Sequence, residues 1–313
     1  MITAVKRIAF RLGNARRIAA QLLGDGPPAL PAVDISSGAL SAARLIRGES
    51  HKPAIMIHGV VQRSGTVYLG ELLRLHPDIC AYPREVYELP FLNFTERIRR
   101  IQRRFLAVYP PNRKNIGRDD FLPLFGTSFI TYLIASVPDG QRALFKMPDV
   151  SGLQYFRFLF PFEIPLLLLR DGRDLVESTV KTWPEIPFPH ACRRWNSNAR
   201  LMLDQEKTQA DAQFQIFRYE DAVRNTSEFM ERVCFHCQLD VARYPFDRLA
   251  QVAVRGSSAL PQSGEVTWEP LDKPANFNPI GRWKNWSQRQ KRIFKRICGR
   301  TLIECGYADN HDW

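Results

Sequence analysis

The chain has 313 residues, of which 45% are hydrophobic, so it can bury the core of one large domain or two small ones without a partner. Lys and Arg outnumber Asp and Glu by 44 to 32, which gives a formal net charge of +12. This composition excludes a largely disordered chain. The charge favours an anionic ligand, an acidic partner, a membrane surface or nucleic acid, and by itself it does not choose among them.

Residues 1–23 are basic, and their apolar residues recur at helical spacing. No apolar run approaches the ~20 residues that span a bilayer, and arginines interrupt any signal-peptide core. We predict a surface helix, whose charge would also suit peripheral contact with an anionic membrane. Residues 24–51 are rich in Pro, Gly, Ala and Ser, which predicts a linker with one short helix at 40–46. The expected division is an N-terminal helix and linker at 1–52 and a main domain at 53–313.

From residue 53 onward, strand-like and helix-like segments alternate. The predicted pairs are 55–61 with 66–75, 144–147 with 150–160, 164–169 with 175–182, and 214–219 with 222–237. The uninterrupted apolar run at 164–169 is typical of a strand that is covered on both faces. We therefore predict an α/β fold, an open parallel sheet flanked by helices with right-handed crossovers.

Two stretches fall outside this alternation. Residues 93–136 are basic and then helical, which predicts an insertion that shapes the mouth of a site. The arginine-rich run 97–104 has only Phe94 and Phe105 beside it, so we interpret it as a solvated helix and expect no nucleic-acid partner. Residues 255–285 form a long, irregular loop, and such loops are more often functional than idle.

The six cysteines have neither the density nor the spacing of a disulfide framework, which favours a reduced, cytoplasmic protein. Cys234 and Cys237 could form half of a zinc site, but no second pair at metal spacing follows. We expect a buried helix face at these two positions and no metal.

The segment 55–66 ends an apolar strand and opens a helix with Arg63-Ser64-Gly65-Thr66. Free backbone N–H groups and the helix dipole favour an anion at such an entrance. A nucleoside-triphosphate loop would have Lys before the Ser or Thr, whereas Thr66 directly follows Gly65. This weakens the triphosphate hypothesis, although simple helix capping would also explain the motif.

A second candidate anion site lies at the end of the predicted strand 164–169, where open α/β sheets place ligands. Arg170 follows that strand directly. If the following helix begins near Asp174, Ser178 lies about one turn into it and faces the same anion as Arg170.

Together these segments resemble the sulfotransferase family, which uses 3′-phosphoadenosine 5′-phosphosulfate. The loop at 63–66 resembles its 5′-phosphosulfate loop, and Arg170 with Ser178 matches its 3′-phosphate motif. The resemblance extends over most of 54–307, and within the family the chain looks most similar to tyrosylprotein sulfotransferases and their bacterial relatives. Their shared pattern appears as His76-Pro77-Asp78, as Lys146-Met147-Pro148, and as Phe160-Pro161.

The resemblance implies a P-loop-like sulfotransferase fold and specific roles for individual residues. Glu85 corresponds to the catalytic base, with Glu88 as the alternative, and Lys146 to the lysine that contacts the sulfuryl group. Arg63 would neutralise the leaving 5′-phosphate. The implied donor-binding residues are Arg63, Ser64, Gly65, Thr66, Val67, Tyr68, Arg170, Ser178, Ser257 (or its neighbour Ser258), Arg282 and Trp283. The usual Arg-Lys-Gly element is absent at 276–280, so Arg282 or Lys284 would replace its contact.

The predicted function is transfer of a sulfuryl group to an acceptor hydroxyl, carried by an acidic peptide tyrosine, a glycan or a small molecule. Two alternatives remain at this stage. One is a P-loop kinase or nucleotide hydrolase, which requires magnesium-dependent ATP turnover. The other is a non-catalytic basic module that binds nucleic acid or a membrane. The sequence does not indicate an oligomeric state.

Overall fold

A computed structural model describes residues 32–49, 52–208, 214–256, 269–272 and 277–313. Its centre is a five-stranded, all-parallel sheet in the order β2-β3-β1-β4-β5. The strands are β1 (Ile55–Gly59), β2 (Ile79–Ala81), β3 (Arg142–Met147), β4 (Ile164–Leu169) and β5 (Ile216–Arg218). The predicted open parallel sheet is confirmed, and the short edge strand β2 was not predicted.

Ten α-helices lie in the described part of the chain. They are α1 (Ser37–Arg47), α2 (Thr66–Arg74), α3 (Thr95–Val108), α4 (Phe121–Ile134), α5 (Phe156–Leu159), α6 (Gly172–Thr182), α7 (Phe188–Thr208), α8 (Tyr219–Arg224), α9 (Thr226–His236) and α10 (Gln288–Glu304). The short helix expected at 40–46 is present as α1. The expectation of one helix at 222–237 is wrong, because Asn225 ends α8 and caps α9 through its side chain.

Two further helix predictions need correction. The helix expected at 150–160 is reduced to a 3₁₀ turn and the single turn of α5. The helix expected at 175–182 starts earlier, at Gly172, because the side chain of Asp171 accepts the amide N–H of Arg173. Helices α7 and α10 were not predicted at all.

The strands place alternate residues into two hydrophobic cores, one on each face of the sheet. Met56, Phe145 and Leu167 face a core shared with α4, α6, α7 and α10. Ile57 and Leu166 face the opposite core, which α2 and α9 cover. The continuous apolar strands are therefore explained by a sheet that is buried on both sides.

Helix α1 packs against α4 in the main body. The predicted N-terminal helix at 1–23 lies outside the described residues. Cys234 and Cys237 are buried on α9 and at its end, as expected. Within the described ranges, no helix is both long enough and apolar enough to cross a membrane.

Candidate active site

The loop between β1 and α2 forms the first half of the site. Ser64 is fully buried, and its Oγ accepts the amide N–H of Val61 at 3.1 Å, which folds the loop back on itself. Arg63 has φ +77°, in the left-handed region that is rare for residues other than glycine. The amides of Gly65, Thr66 and Val67 have no hydrogen-bond partner among the described residues. The loop therefore presents free donors at a helix entrance.

Gly65 is required by both the backbone and the space around it. Its φ is +96°, and a Cβ atom there would lie 2.3 Å from Cδ2 of Tyr219. The Tyr219 ring in turn lies under the guanidinium of Arg170, with 4.5 Å between Cζ and the ring centroid. Tyr68, near the start of α2, packs edge-on against the same ring. Tyr219 therefore joins the two predicted anion-binding motifs.

Direct contacts also connect these motifs. Arg63 Nε donates to Ser178 Oγ at 3.1 Å, and Arg170 Nη1 donates to the carbonyl oxygen of Arg63 at 2.8 Å. The second Arg170 Nη group donates to the carbonyl oxygen of Pro279. Arg170 Nε is buried without a partner among the described residues. Residues that lie more than 100 positions apart in sequence thus meet at the carboxyl ends of β1 and β4.

Arg63, Arg170 and Arg282 form a cluster of positive charge. Burial lowers the pKa of Arg63 to about 10, and the charges of Arg170 and Arg282 add to this effect. The pKa of Arg282 is lowered for the same reasons, first by burial and then by Arg170. Like charges that are brought together in a partly buried site favour a bound anion.

Asp174 holds the turn that carries Arg282. Its carboxylate accepts the amide N–H groups of Gly281 at 2.7 Å, Arg282 at 2.6 Å and Trp283 at 3.4 Å. Burial raises the pKa of Asp174, and these donors act in the opposite direction. Trp283 lies against the guanidinium of Arg173, with 4.2 Å between Cζ and the ring centroid. Its ring therefore packs within this turn, while Lys284 is exposed.

The segment with the predicted base runs beside the carboxyl end of β3. Tyr82, Arg84 and Glu85 all have φ between +56° and +59°. Side chains held in such strained conformations concentrate at functional sites. Arg84 holds the strained loop in place, because its Nε donates to the carbonyl oxygen of Tyr132 and its guanidinium lies over the Tyr132 ring.

Lys146 is buried at the end of β3, and its Nζ donates to Glu88 Oε1 at 3.2 Å. The Glu88 side chain is half exposed. Glu85 is exposed, and its carboxylate has no partner within the described residues. The structure thus brings Lys146 together with the alternative glutamate, while the carboxylate of Glu85 is available to an incoming group.

Several supporting residues were missed from the sequence. Asn198 and Trp195, on the unpredicted helix α7, donate to the carbonyl oxygens of Val60 and Arg170. Glu220 accepts the amide N–H of Asp171 and the hydroxyl of Tyr307. Their spacing on α7, with Ala191, Trp195 and Ala199 on one buried face, was the available signal.

Two predictions are not addressed by these contacts. Ser257 and Ser258 lie outside the described residues, so their part in the site stays a prediction. In the described part of the chain, no cluster of His, Cys, Asp and Glu has the arrangement of a metal site.

An open parallel sheet with an anion-binding loop and a converging arginine pair at its carboxyl edge defines an enzyme that acts on a phosphorylated ligand. The profile of the sulfotransferase family matches residues 53–243, more than half of the chain. The chain therefore belongs to the sulfotransferase family. This confirms the predicted enzyme class, with 3′-phosphoadenosine 5′-phosphosulfate as co-substrate, and decides against the kinase and the non-catalytic module.

Solved structures share the fold. The sulfotransferase domain from the Synechococcus PCC 7002 olefin synthase is 18% identical, covers 84% of this chain and 98% of that chain, and has a TM-score of 0.53. The sulfotransferase domain from the curacin biosynthetic pathway is 19% identical over 80% of this chain and 98% of that chain, with a TM-score of 0.49. Mouse SULT7A1, complexed with PAP, is 14% identical over 87% and 95%, with a TM-score of 0.44. The curated proteins gave no significant match.

Proposed function

We propose that this chain transfers the sulfuryl group to an acceptor hydroxyl and holds its donor between the 63–66 loop and the Arg170–Ser178 pair. One observation carries the assignment of the donor site: Arg63 Nε lies 3.1 Å from Ser178 Oγ, so two phosphate-binding motifs form a single cluster. The free amides at the start of α2 and Arg63 would hold the 5′-phosphosulfate. Arg170, Ser178 and Arg282 would hold the 3′-phosphate.

The residues then have distinct roles in the reaction. The acceptor oxygen forms a bond to sulfur as the bond between sulfur and the bridging oxygen breaks, and 3′-phosphoadenosine 5′-phosphate leaves. Arg63 and the loop amides stabilise the negative charge that develops on the leaving phosphate. Lys146 stabilises the transferring oxygens. A carboxylate takes the proton of the acceptor hydroxyl.

We assign that carboxylate to Glu85. Glu88 is ion-paired with Lys146, and a paired carboxylate is a weaker proton acceptor than an unpaired one. Glu85 also belongs to the strained turn that follows β2, where the backbone conformation fixes the direction of its side chain.

Calorimetry with 3′-phosphoadenosine 5′-phosphate tests the donor site. We expect micromolar binding to the wild type, and a loss of about 10-fold to 100-fold in affinity for Arg170→Ala and for Arg63→Ala, because each removes a charged hydrogen-bond donor. Arg292→Ala, at an exposed position on α10, is the matched control and should bind normally. Wild-type protein that does not bind the nucleotide would contradict the proposal.

The base assignment predicts a difference between two neighbouring variants. Glu85→Gln should lower the rate of transfer by about 100-fold or more while nucleotide affinity stays unchanged, because the variant loses only the proton acceptor. The matched Glu88→Gln should retain most of the rate. The measurement uses radiolabelled donor with the acceptor that a screen of acidic peptides, glycans and phenols identifies. Retained activity in Glu85→Gln and loss in Glu88→Gln would assign the base to Glu88.

We also propose that the protein works in the cytoplasm. Its six cysteines are free thiols, and five of them are buried, which suits a reducing compartment. Alkylation of protein from freshly lysed cells, followed by mass spectrometry, should find all six thiols reduced. A disulfide in that material would contradict this location.

A further inference from the structure

Helix α3 has one face fixed to the body of the protein. Thr95, Ile98, Gln102 and Leu106 are buried along that face. The Gln102 side chain accepts the amide N–H of Phe121 and donates to the carbonyl oxygen of Gly117. Arg99 forms an ion pair with Asp119 at 2.6 Å. These contacts hold the helix in one orientation, so its outer face is a rigid surface.

The outer face combines positive charge with exposed apolar side chains. Arg97, Ile101, Arg104 and Val108 follow the spacing i, i+4, i+7, i+11 and therefore form one stripe. Val108 is 86% exposed and Ile101 is 53% exposed. Solvent exposure of aliphatic groups on a fixed helix face is unfavourable unless another surface covers them.

The same surface continues on both sides of the stripe. Phe105 is exposed and contacts Phe121, which stacks on the exposed Phe125 of α4. Tyr109 is exposed at the end of α3, and the 3₁₀ turn after it exposes Arg113 and Lys114. The sequence from 97 to 114 contains seven basic residues and no Asp or Glu. We call this surface, from Arg97 to Lys114, the α3 face.

We propose that the α3 face docks the protein on an anionic lipid bilayer. Basic groups beside aliphatic and aromatic groups match a membrane interface, where lipid headgroups bind the arginines and the acyl boundary takes the apolar side chains. The face is the outer side of a helix about 20 Å long, which suits a flat surface. Nucleic acid would give the aliphatic side chains of Ile101 and Val108 no apolar contact.

Charge also argues against the N-terminal segment as the occupant of this face. Residues 1–23 contain Lys6, Arg7, Arg11, Arg16 and Arg17 and no acidic residue. Like charges would repel this segment from the arginines of α3. An anionic bilayer would attract both.

Co-sedimentation of the full chain with vesicles tests the proposal. We expect binding to phosphatidylcholine vesicles that contain phosphatidylserine, weak binding to pure phosphatidylcholine, and a decrease with salt. Arg97→Gln/Arg104→Gln should lower the partition coefficient roughly 25-fold, since each basic residue contributes about one factor of five. Ile101→Ser/Val108→Ser should lower it roughly tenfold through lost apolar burial.

Matched controls separate the α3 face from general charge and apolarity. Arg292→Gln/Arg296→Gln makes the same charge change on exposed positions of α10, and Phe235→Ser removes an 84% exposed apolar group from α9. Both should change the partition coefficient less than twofold. All variants should retain the wild-type circular dichroism spectrum and nucleotide affinity, which shows that they are folded.

Four results would overturn the proposal. They are equal binding of the wild type to both vesicle types, an equal loss in the α10 control, and loss of binding only when the five basic residues of 1–23 are replaced by Gln. The fourth is a dimer that Ile101→Ser/Val108→Ser dissociates while vesicles are not bound, which would make the α3 face a self-association surface.

Discussion

Asp174 shows how one side chain can organise a ligand site that it does not itself line. Its two oxygens accept three consecutive amide groups of the turn 281–283. The turn belongs to a different part of the sequence and has Gly281 at φ +80°. The position of Arg282 beside Arg170 therefore depends on this carboxylate.

We predict that Asp174→Asn weakens nucleotide binding about tenfold, because the amide group would direct N–H donors at backbone N–H donors and release the turn. Calorimetry with 3′-phosphoadenosine 5′-phosphate measures this effect. The exposed Asp309→Asn is the control for loss of one negative charge. Equal affinities in the two variants would show that the turn holds Arg282 without Asp174.

Glu220 offers a test of the cost of a buried charge. Burial raises the pKa of Glu220, and the amide of Asp171 and the charge of Arg170 only partly oppose this. Since the folded state then binds the proton more tightly than the unfolded state, stability decreases as the pH rises from the unfolded pKa of about 4.3 through the raised pKa.

We predict that Glu220→Gln raises the melting temperature at about pH 8 and that the difference from the wild type shrinks toward pH 5. The amide oxygen can still accept the N–H of Asp171, and the amide N–H₂ can donate to the Tyr307 hydroxyl. Thermal unfolding at several pH values measures both effects. A lower melting temperature at pH 8 would mean that attraction to Arg170 outweighs the cost of burial.

At the scale of elements, the β1–α2 loop depends on a close approach between two helices. Gly65 begins α2 and Tyr219 begins α8, and no side chain fits between them. We predict that Gly65→Ala lowers nucleotide affinity at least tenfold, because either the loop or the Tyr219 ring beneath Arg170 must move. Calorimetry and urea unfolding give the affinity and the stability.

Gly140→Ala is the matched control for this variant. Gly140 also has a positive φ, +79°, but a Cβ there meets nothing within 4 Å. This control carries the backbone strain of about 1–2 kcal/mol without the steric overlap. If both variants bind the nucleotide equally well, the contact with Tyr219 has no role in the site.

The sequence predicted those elements whose signal is local. The strands β1 and β4 are continuous apolar runs, and the 63–66 motif has a recognisable place between a strand and a helix. Helix α7 was missed because its buried face includes the polar Asn198, which weakens the apolar periodicity. The contacts of Asp174 with the 281–283 turn and of Gly65 with Tyr219 depend on packing between distant segments, and no local pattern encodes them.

At the scale of the whole molecule, a buried ion pair attaches α1 to the sheet. Arg47 Nε donates to Glu163 Oε1 at 2.6 Å, and both side chains are almost completely buried. The same guanidinium donates to the carbonyl oxygen of Lys52, and Glu163 also accepts the amide N–H of Ala54. The stretch that the sequence assigned to a linker is thus connected to the start of β1 and the start of β4.

We predict that Arg47→Ala lowers the free energy of unfolding by about 3–5 kcal/mol, because it leaves the Glu163 carboxylate buried without its charge partner. Urea unfolding followed by tryptophan fluorescence measures this change. The exposed ion pair of Arg118 with Asp34 provides the control, and Arg118→Ala should cost less than about 1 kcal/mol. If residues 1–52 were an appendage that unfolds independently of the domain at 53–313, Arg47→Ala would leave the main transition unchanged. A cooperative loss of stability would instead place α1 within the folding unit of the sheet.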